Sequence, residues 1–228
     1  MNFMYVSGGN LPDDGFPSHL LEWNDGNVTC QLPGSVFGYV LEQTTIFKKD
    51  VFDSMTVKAG MYFCLEPPFK LIGGRGFGVC LDGHRAFNLI GGPIEAVGRL
   101  NYIDGCTDSL LISPIMLGDP CLNHLHFPPN IRQTMHTHPS NRVGCVIRGK
   151  GRCVTPTEEI PLVPGKVFCI PKDGHHCFYT DSDSMDVVAW HPDSDFGPKH
   201  EQHPMVNRTF VDGLPANESA KYEAIRTR

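Results

Sequence analysis

The chain repeats itself, faintly, at an interval close to half its length. A shift of 106 residues sets Cys30-Gln-Leu-Pro-Gly-Ser-Val-Phe-Gly-Tyr-Val-Leu41 beside His136-Thr-His-Pro-Ser-Asn-Arg-Val-Gly-Cys-Val-Ile147, with Pro33 on Pro139, Gly38 on Gly144 and Val40 on Val146. A shift of 105 sets Gly60-Met-Tyr-Phe-Cys-Leu65 beside Gly165-Lys-Val-Phe-Cys-Ile170. Both matches fall where a turn leads into an apolar run. Two such matches at nearly one offset point to a duplicated β-unit.

Composition agrees with that reading. The 228 residues include 24 glycines and 19 prolines, which favour short strands and tight turns over long helices. Strands are expected at Leu110–Met116, Cys121–Phe127, Arg142–Arg148, Arg152–Thr155, Lys166–Ile170, His176–Tyr179 and Met185–His191, and in the first half at Val36–Phe47, Met61–Leu65 and Gly76–Leu81. Only Glu218–Arg226 has a helical pattern. The fold class is all-β. Gly73-Gly-Arg-Gly-Phe-Gly78 lacks the following helix that a phosphate-binding loop needs and reads as a turn.

With a net charge of −6 and no basic tract, the chain offers little to nucleic acid or an anionic membrane. No apolar run approaches the roughly 20 residues of a membrane span. The N-terminal MNFMYVSGGNLPDDG does not look like a secretory leader, so a cytoplasmic location is expected. Nine cysteines without a CxxC pair, mostly inside apolar runs, read as small buried hydrophobes.

The chemistry concentrates in His136-Thr-His138 and in Pro171-Lys-Asp-Gly-His-His176. Two histidines one residue apart on an extended strand place both imidazoles on one face. A third ring from a later strand would complete three corners of a metal site and leave positions open for water or substrate. His176 and His175 compete for that third place, and the spacing from Pro171 favours His176. His124 and His126 alternate in the same way, and either face a cavity, as substrate contacts, or lie on a solvated face. Gln133 lies close enough in sequence to the His pair to donate to substrate or water. His84, His191, His200 and His203 show no partner pattern.

These residues resemble the two motifs of the cupin superfamily. In the first, Asn130 holds the opening glycine place, His136 and His138 match, Arg142 stands where glutamate is expected, and Gly149 matches. In the second, Gly165, Pro171 and His176 match, the inner glycine is displaced to Gly174, and Thr180 replaces asparagine. The resemblance covers about fifty residues strongly and the rest only through the repeat. It implies a double-stranded β-helix, the cupin jelly roll, and through the repeat a bicupin. Cys30 and Leu32 stand at the places of the His pair in the first half, with Leu71 opposite His176, so that lobe is expected to hold no metal. The expected division is a degenerate lobe over 1–105, a metal-binding lobe over 106–192 and a tail over 193–228.

The resemblance also implies a function. His136, His138 and His176 would hold Fe(II), with Zn, Ni, Mn and Cu as alternatives, since all accept imidazole. Arginine in place of the acidic ligand leaves the ion its full charge and so favours a small anionic substrate. Arg142 either points inward and clamps a carboxylate, or faces solvent. The leading expectation is an iron-dependent oxygenase acting on a small metabolite, as in cupin-type dioxygenases with three histidines. The alternatives are a redox-silent isomerase or lyase and a non-catalytic ligand-binding cupin. A homodimer is expected from the way cupins often pair.

Overall fold

The structure, a computed structural model, describes residues 1–12, 15–195, 205 and 208–218. Among the described residues its named elements are strands apart from a three-residue 3-10 turn at Ile103–Gly105. The helix expected over Glu218–Arg226 lies, beyond Glu218, outside the described residues, as does most of the expected tail.

Two large antiparallel sheets carry the repeat. One runs, in spatial order, Leu89–Gly91, Tyr62–Leu65, Val36–Glu42, Arg75–Leu81, Ser18–Asn24 and Gly9–Asn10. The other runs Met4–Tyr5, Val167–Ile170, Arg142–Gly149, Met185–His191, Cys121–Phe127, Thr107–Ile112 and Leu100–Asn101. The six strands of the first correspond in order to the first six of the second, which adds Leu100–Asn101 at its edge, and the matched segments begin 106 residues apart at Val36 and Arg142. A smaller sheet completes each jelly roll. Asn27–Cys30, Phe69–Ile72, Thr44–Lys48 and Phe52–Val57 form the first, and Glu159–Pro161, Arg152–Val154 and Cys177–Tyr179 the second. The expected all-β double-stranded helix is therefore present twice.

A shared packing constraint accounts for one of the repeated glycines. Gly38 pairs with Phe63 and Gly144 with Phe168 across neighbouring strands. A Cβ on Gly38 would stand 2.2 Å from the Phe63 ring, and one on Gly144 would stand 2.5 Å from the Phe168 ring. Each phenyl ring lies flat over a backbone that has no side chain to displace it.

The elements depart from the expected boundaries where proline or a bend intervenes. The expected run Leu110–Met116 is instead Thr107–Ile112, because Pro114 has no N–H to continue the ladder. The expected Val36–Phe47 divides into Val36–Glu42 and Thr44–Lys48, which belong to different sheets.

Three apolar clusters hold the molecule together. One fills the first jelly roll around Trp23, Phe63 and Phe69. A second fills the other around Phe127, Phe168 and Phe178. The third lies between the large sheets, where Phe37, Tyr39 and Phe77 meet Leu122, Val143 and a fully buried Trp190. Truncating a buried Trp to Ala typically costs about 3–5 kcal/mol, so this seam contributes materially to stability. The nine cysteines are buried and unbridged.

The N-terminal arm crosses the repeat. Met4–Tyr5 pairs with Val167–Ile170, at the place that Leu89–Gly91 takes in the other sheet. Phe3 stacks on Phe168 with ring centroids 5.4 Å apart, and Asn2 Oδ1 accepts the His175 amide at 3.2 Å. Residues at the very start of the chain thus belong to the second jelly roll.

Candidate metal centre

Inside the second jelly roll the irregular segment between Phe127 and Arg142 runs against Cys177–Tyr179. His136 and His176 meet there in an isolated antiparallel bridge, and Arg132 and Tyr179 in another. His136 and His138 therefore lie on an extended but irregular stretch, not on the regular strand that their spacing suggests. Pro139 and the turn at 139–140 keep this stretch out of the sheet. Asn130, at the place of a motif glycine, takes a left-handed conformation with φ 62°, which asparagine tolerates better than other side chains.

The three imidazoles converge. Ring centroids lie 5.0 Å apart for His136 and His138, 4.5 Å for His136 and His176, and 5.2 Å for His138 and His176. One nitrogen from each falls within 4.8 Å of the others. His136 Nδ1 bonds the Thr134 carbonyl at 2.7 Å, and His176 Nδ1 bonds the Gly174 carbonyl at 2.9 Å. A carbonyl only accepts, so Nδ1 carries a hydrogen in both rings, and Nε2 is the nitrogen left to face a metal. Burial, Arg142 and the neighbouring imidazoles push His138 down to about 2. Burial likewise drives His176 down to about 4, against the partly offsetting Gly174 hydrogen bond. His138 and His176 are therefore neutral, and together with His136 they form a donor set that fits a divalent first-row cation. No carboxylate belongs to the cluster among the described residues.

A cavity of about 210 Å³ opens beside the three rings. Its apolar wall comes from Leu125, Phe127, Phe168, Ile170, Phe178 and Val187. Arg142 lines it as well, so the inward orientation is the one adopted. Arg142 Nη1 donates to Ser140 Oγ and to the Asn141 carbonyl, and lies 3.4 Å from Asp193 Oδ1. Gln133 is buried at the cavity edge, where its carboxamide oxygen accepts the Phe178 amide at 3.1 Å and its NH2 group remains to donate.

Three sequence expectations are corrected. His124 and His126 do not face this cavity. On Cys121–Phe127 the residues that line it are Asn123, Leu125 and Phe127, and alternation sends the two histidines to the opposite face. There His124 Nε2 and His126 Nδ1 both bond Asp186 Oδ1, at 2.7 and 2.9 Å, while Arg148 Nε bonds Oδ2 at 3.0 Å. His175 is exposed beside the N-terminal arm, so neither a metal nor a substrate role falls to it. Finally, the pairing partner of Cys30 is Phe69, not Leu71, so Phe69 occupies the place of His176 in the first lobe. Cys30 and Phe69 are both buried in that lobe's apolar core, which leaves no donor triad there.

Part of the cavity wall was not legible in the sequence. Tyr102, Asp108, Asn123 and His191 line it. His191 Nδ1 donates to the Asp193 carbonyl, and burial with the Arg142 charge brings its pKa down to about 4, so this imidazole is also neutral. A periodic pattern could have placed Asn123, since it shares a face with Leu125 and Phe127. Asp108, Tyr102 and His191 come from separate elements and carry no local signal.

Residues 123–192 match the family described as the cupin domain. The chain as a whole has the cupin fold. A cupin 2 conserved barrel domain protein from Leptotrichia buccalis superposes with a TM-score of 0.58 at 15% identity, over 83% of this chain and 88% of that one. A putative glyoxylate induced protein from Pseudomonas aeruginosa gives 0.61 at 12% identity, over 86% and 82%. A salicylate 1,2-dioxygenase from Pseudaminobacter salicylatoxidans gives 0.55 at 9% identity, over 80% and 75%. No curated protein matches the sequence. No helix among the described residues is long and apolar enough to cross a membrane.

Proposed function

We propose that the protein is a metal-dependent cupin enzyme, an Fe(II) oxygenase that acts on a small anionic metabolite. The observation that carries this reading is the convergence of three imidazoles, with no carboxylate in the cluster among the described residues, on a small cavity that also receives Arg142. The salicylate 1,2-dioxygenase among the structural neighbours acts on an anionic aromatic acid, which supports the reading at the level of the fold.

His136, His138 and His176 would hold the ion, each through the nitrogen left unprotonated. When bound, iron supplies redox chemistry and open positions for a chelating substrate. Because the ligands are neutral, the ion's charge is undiminished and favours an anion in the cavity. Arg142 supports the same preference. One edge of its guanidinium is held by Ser140 and Asp193, which fixes the fork and leaves Nη2 and Nε to receive a carboxylate. Gln133, anchored by the Phe178 amide, orients the bound molecule through its NH2 group. The phenylalanine wall excludes bulk water and strengthens these polar contacts.

Oxygen uptake by the iron-loaded protein against thiols, diketones and aromatic acids tests the proposal. Uptake with at least one class is expected. Stoichiometric zinc in protein purified without added metal, together with no uptake on any class, would overturn the oxygenase reading in favour of a redox-silent isomerase or lyase.

A further inference from the structure

We propose that the molecule bound in this cavity carries a protonated amine as well as its anionic group, with the ammonium seated against Asp108 and Asn123. The inference rests on the reading that the cavity beside the three histidines receives a small anionic substrate, and it narrows that substrate to an amino carboxylate.

Asp108 and Asn123 lie on neighbouring strands and form one polar patch in a mostly apolar cavity. Asn123 Nδ2 donates to Asp108 Oδ2 at 2.8 Å. That bond orients the carboxamide, because an ionised carboxylate only accepts, and it turns Asn123 Oδ1 away from Asp108. Two acceptors are then left buried without a hydrogen-bond partner, Asp108 Oδ1 and Asn123 Oδ1. Asn123 is only 8% exposed. Leaving one such group unpaired typically costs about 1–3 kcal/mol, and more for a charged one. Two neighbouring orphans in a binding cavity therefore point to a partner that arrives from outside.

The charge identifies that partner further. Among the described residues Asp108 forms an ion pair with no lysine, arginine or histidine, whereas Arg142, which lines the same cavity, has Asp193. Burial pushes the Asp108 carboxyl up, and the hydrogen bond from Asn123 only partly offsets this. A hydroxyl would satisfy one acceptor and no charge. An ammonium supplies up to three N–H donors and the missing positive charge, so it answers both acceptors together. In the same cavity, Arg142 and the metal position favour the carboxylate, so each end of the ligand has its own polar partner. The patch holds a single carboxylate, too few oxygen donors for a second cation site of its own.

The test is calorimetric binding to the full chain, in chelator-treated and Zn(II)-loaded forms. The probes are glycine, β-alanine and 4-aminobutanoate, each beside the hydroxy acid and the alkanoate of the same length. For at least one length the amine should bind about tenfold or more tightly than its hydroxy analogue, as expected for a charge-assisted bond. Asp108→Asn should bring that ratio to within about twofold, and Asn123→Leu should lower it, with the fold of each variant checked by circular dichroism. An absence of amine preference at every length in the wild-type chain overturns the proposal, as does a preference that survives Asp108→Asn. Zinc binding measured on the same samples separates the two readings. Amine preference without metal affinity would sink only the metal enzyme, and metal affinity without amine preference only the amine.

Discussion

His136 and His176 exchange two backbone hydrogen bonds, His136 N–H to the His176 carbonyl at 2.9 Å and His176 N–H to the His136 carbonyl at 3.0 Å. The main chain therefore fixes the spacing of two side chains of the candidate metal site before any ion arrives. The rings are then oriented by the carbonyls of Thr134 and Gly174, each two residues upstream of its histidine. A site built in this way is preorganised, and its affinity depends on the rings more than on folding around the metal.

Replacing His138 by alanine is expected to abolish stoichiometric iron or zinc binding while leaving the fold intact. Loss of a supporting hydrogen bond at a metal ligand already costs about 10–100-fold in affinity, and loss of the ligand itself should cost more. Elemental analysis after dialysis, read beside a circular dichroism spectrum, checks this.

Arg142→Lys should keep the metal and weaken the anion. Lysine preserves charge but lacks the planar fork, so binding of a carboxylate ligand should fall by about tenfold with metal content unchanged. Titration of the zinc-loaded variant with a small carboxylate gives the answer, and equal loss of metal would contradict it.

Gly144→Ala should be destabilising out of proportion to its size. The added methyl would meet the Phe168 ring at 2.5 Å, and overpacking of this kind typically costs about 1–3 kcal/mol. Urea unfolding should show a lower midpoint, and because Phe168 also lines the cavity, ligand affinity should drop with it.

Asp186 gives a pH-dependent prediction. Burial raises its pKa, but hydrogen bonds from His124, His126 and Arg148 outweigh this and the net shift is downward. A carboxyl lowered on folding stabilises the protein above its unfolded pKa, and that contribution disappears as pH falls through the folded value. Asp186→Asn should therefore cost on the order of 3 kcal/mol near pH 7, the usual consequence of breaking a buried charged pair. The difference from wild type should shrink below about pH 4, the unfolded carboxyl range. Urea midpoints at pH 7 and pH 3 test the sign. His126→Ala, on the same face, should leave metal content unchanged.

The site was half legible in the sequence, and the division has a physical cause. His136, His138 and His176 could be found because their spacing is a local property of two short motifs. The repeat exposed both jelly rolls because Gly38 and Gly144 answer the same requirement, a phenyl ring lying on the neighbouring strand. Alternation failed at His124 and His126 because a period of two states which residues share a face, not which face is inward; the apolar Leu125 and Phe127 occupied the cavity side. Asp108 and Tyr102 could not be found, since neither belongs to a motif: Asp108 meets Asn123 only through the register of Thr107–Ile112 against Cys121–Phe127, and Tyr102 lies outside the regular strands. The N-terminal arm was hidden for the same reason, being two paired residues long with its partner more than 160 positions away.

That arm determines how the molecule can be taken apart. If the first few residues were removed, Val167–Ile170 would be left with a bare row of amides and carbonyls on one side, next to the loop that carries His176. The segment 106–192 excised alone would suffer the same exposure and would also lose the facing sheet that covers Trp190. The first lobe thus acts as a scaffold and a seal for the lobe that holds the three histidines, and cutting the gene at the repeat boundary should yield an aggregating fragment.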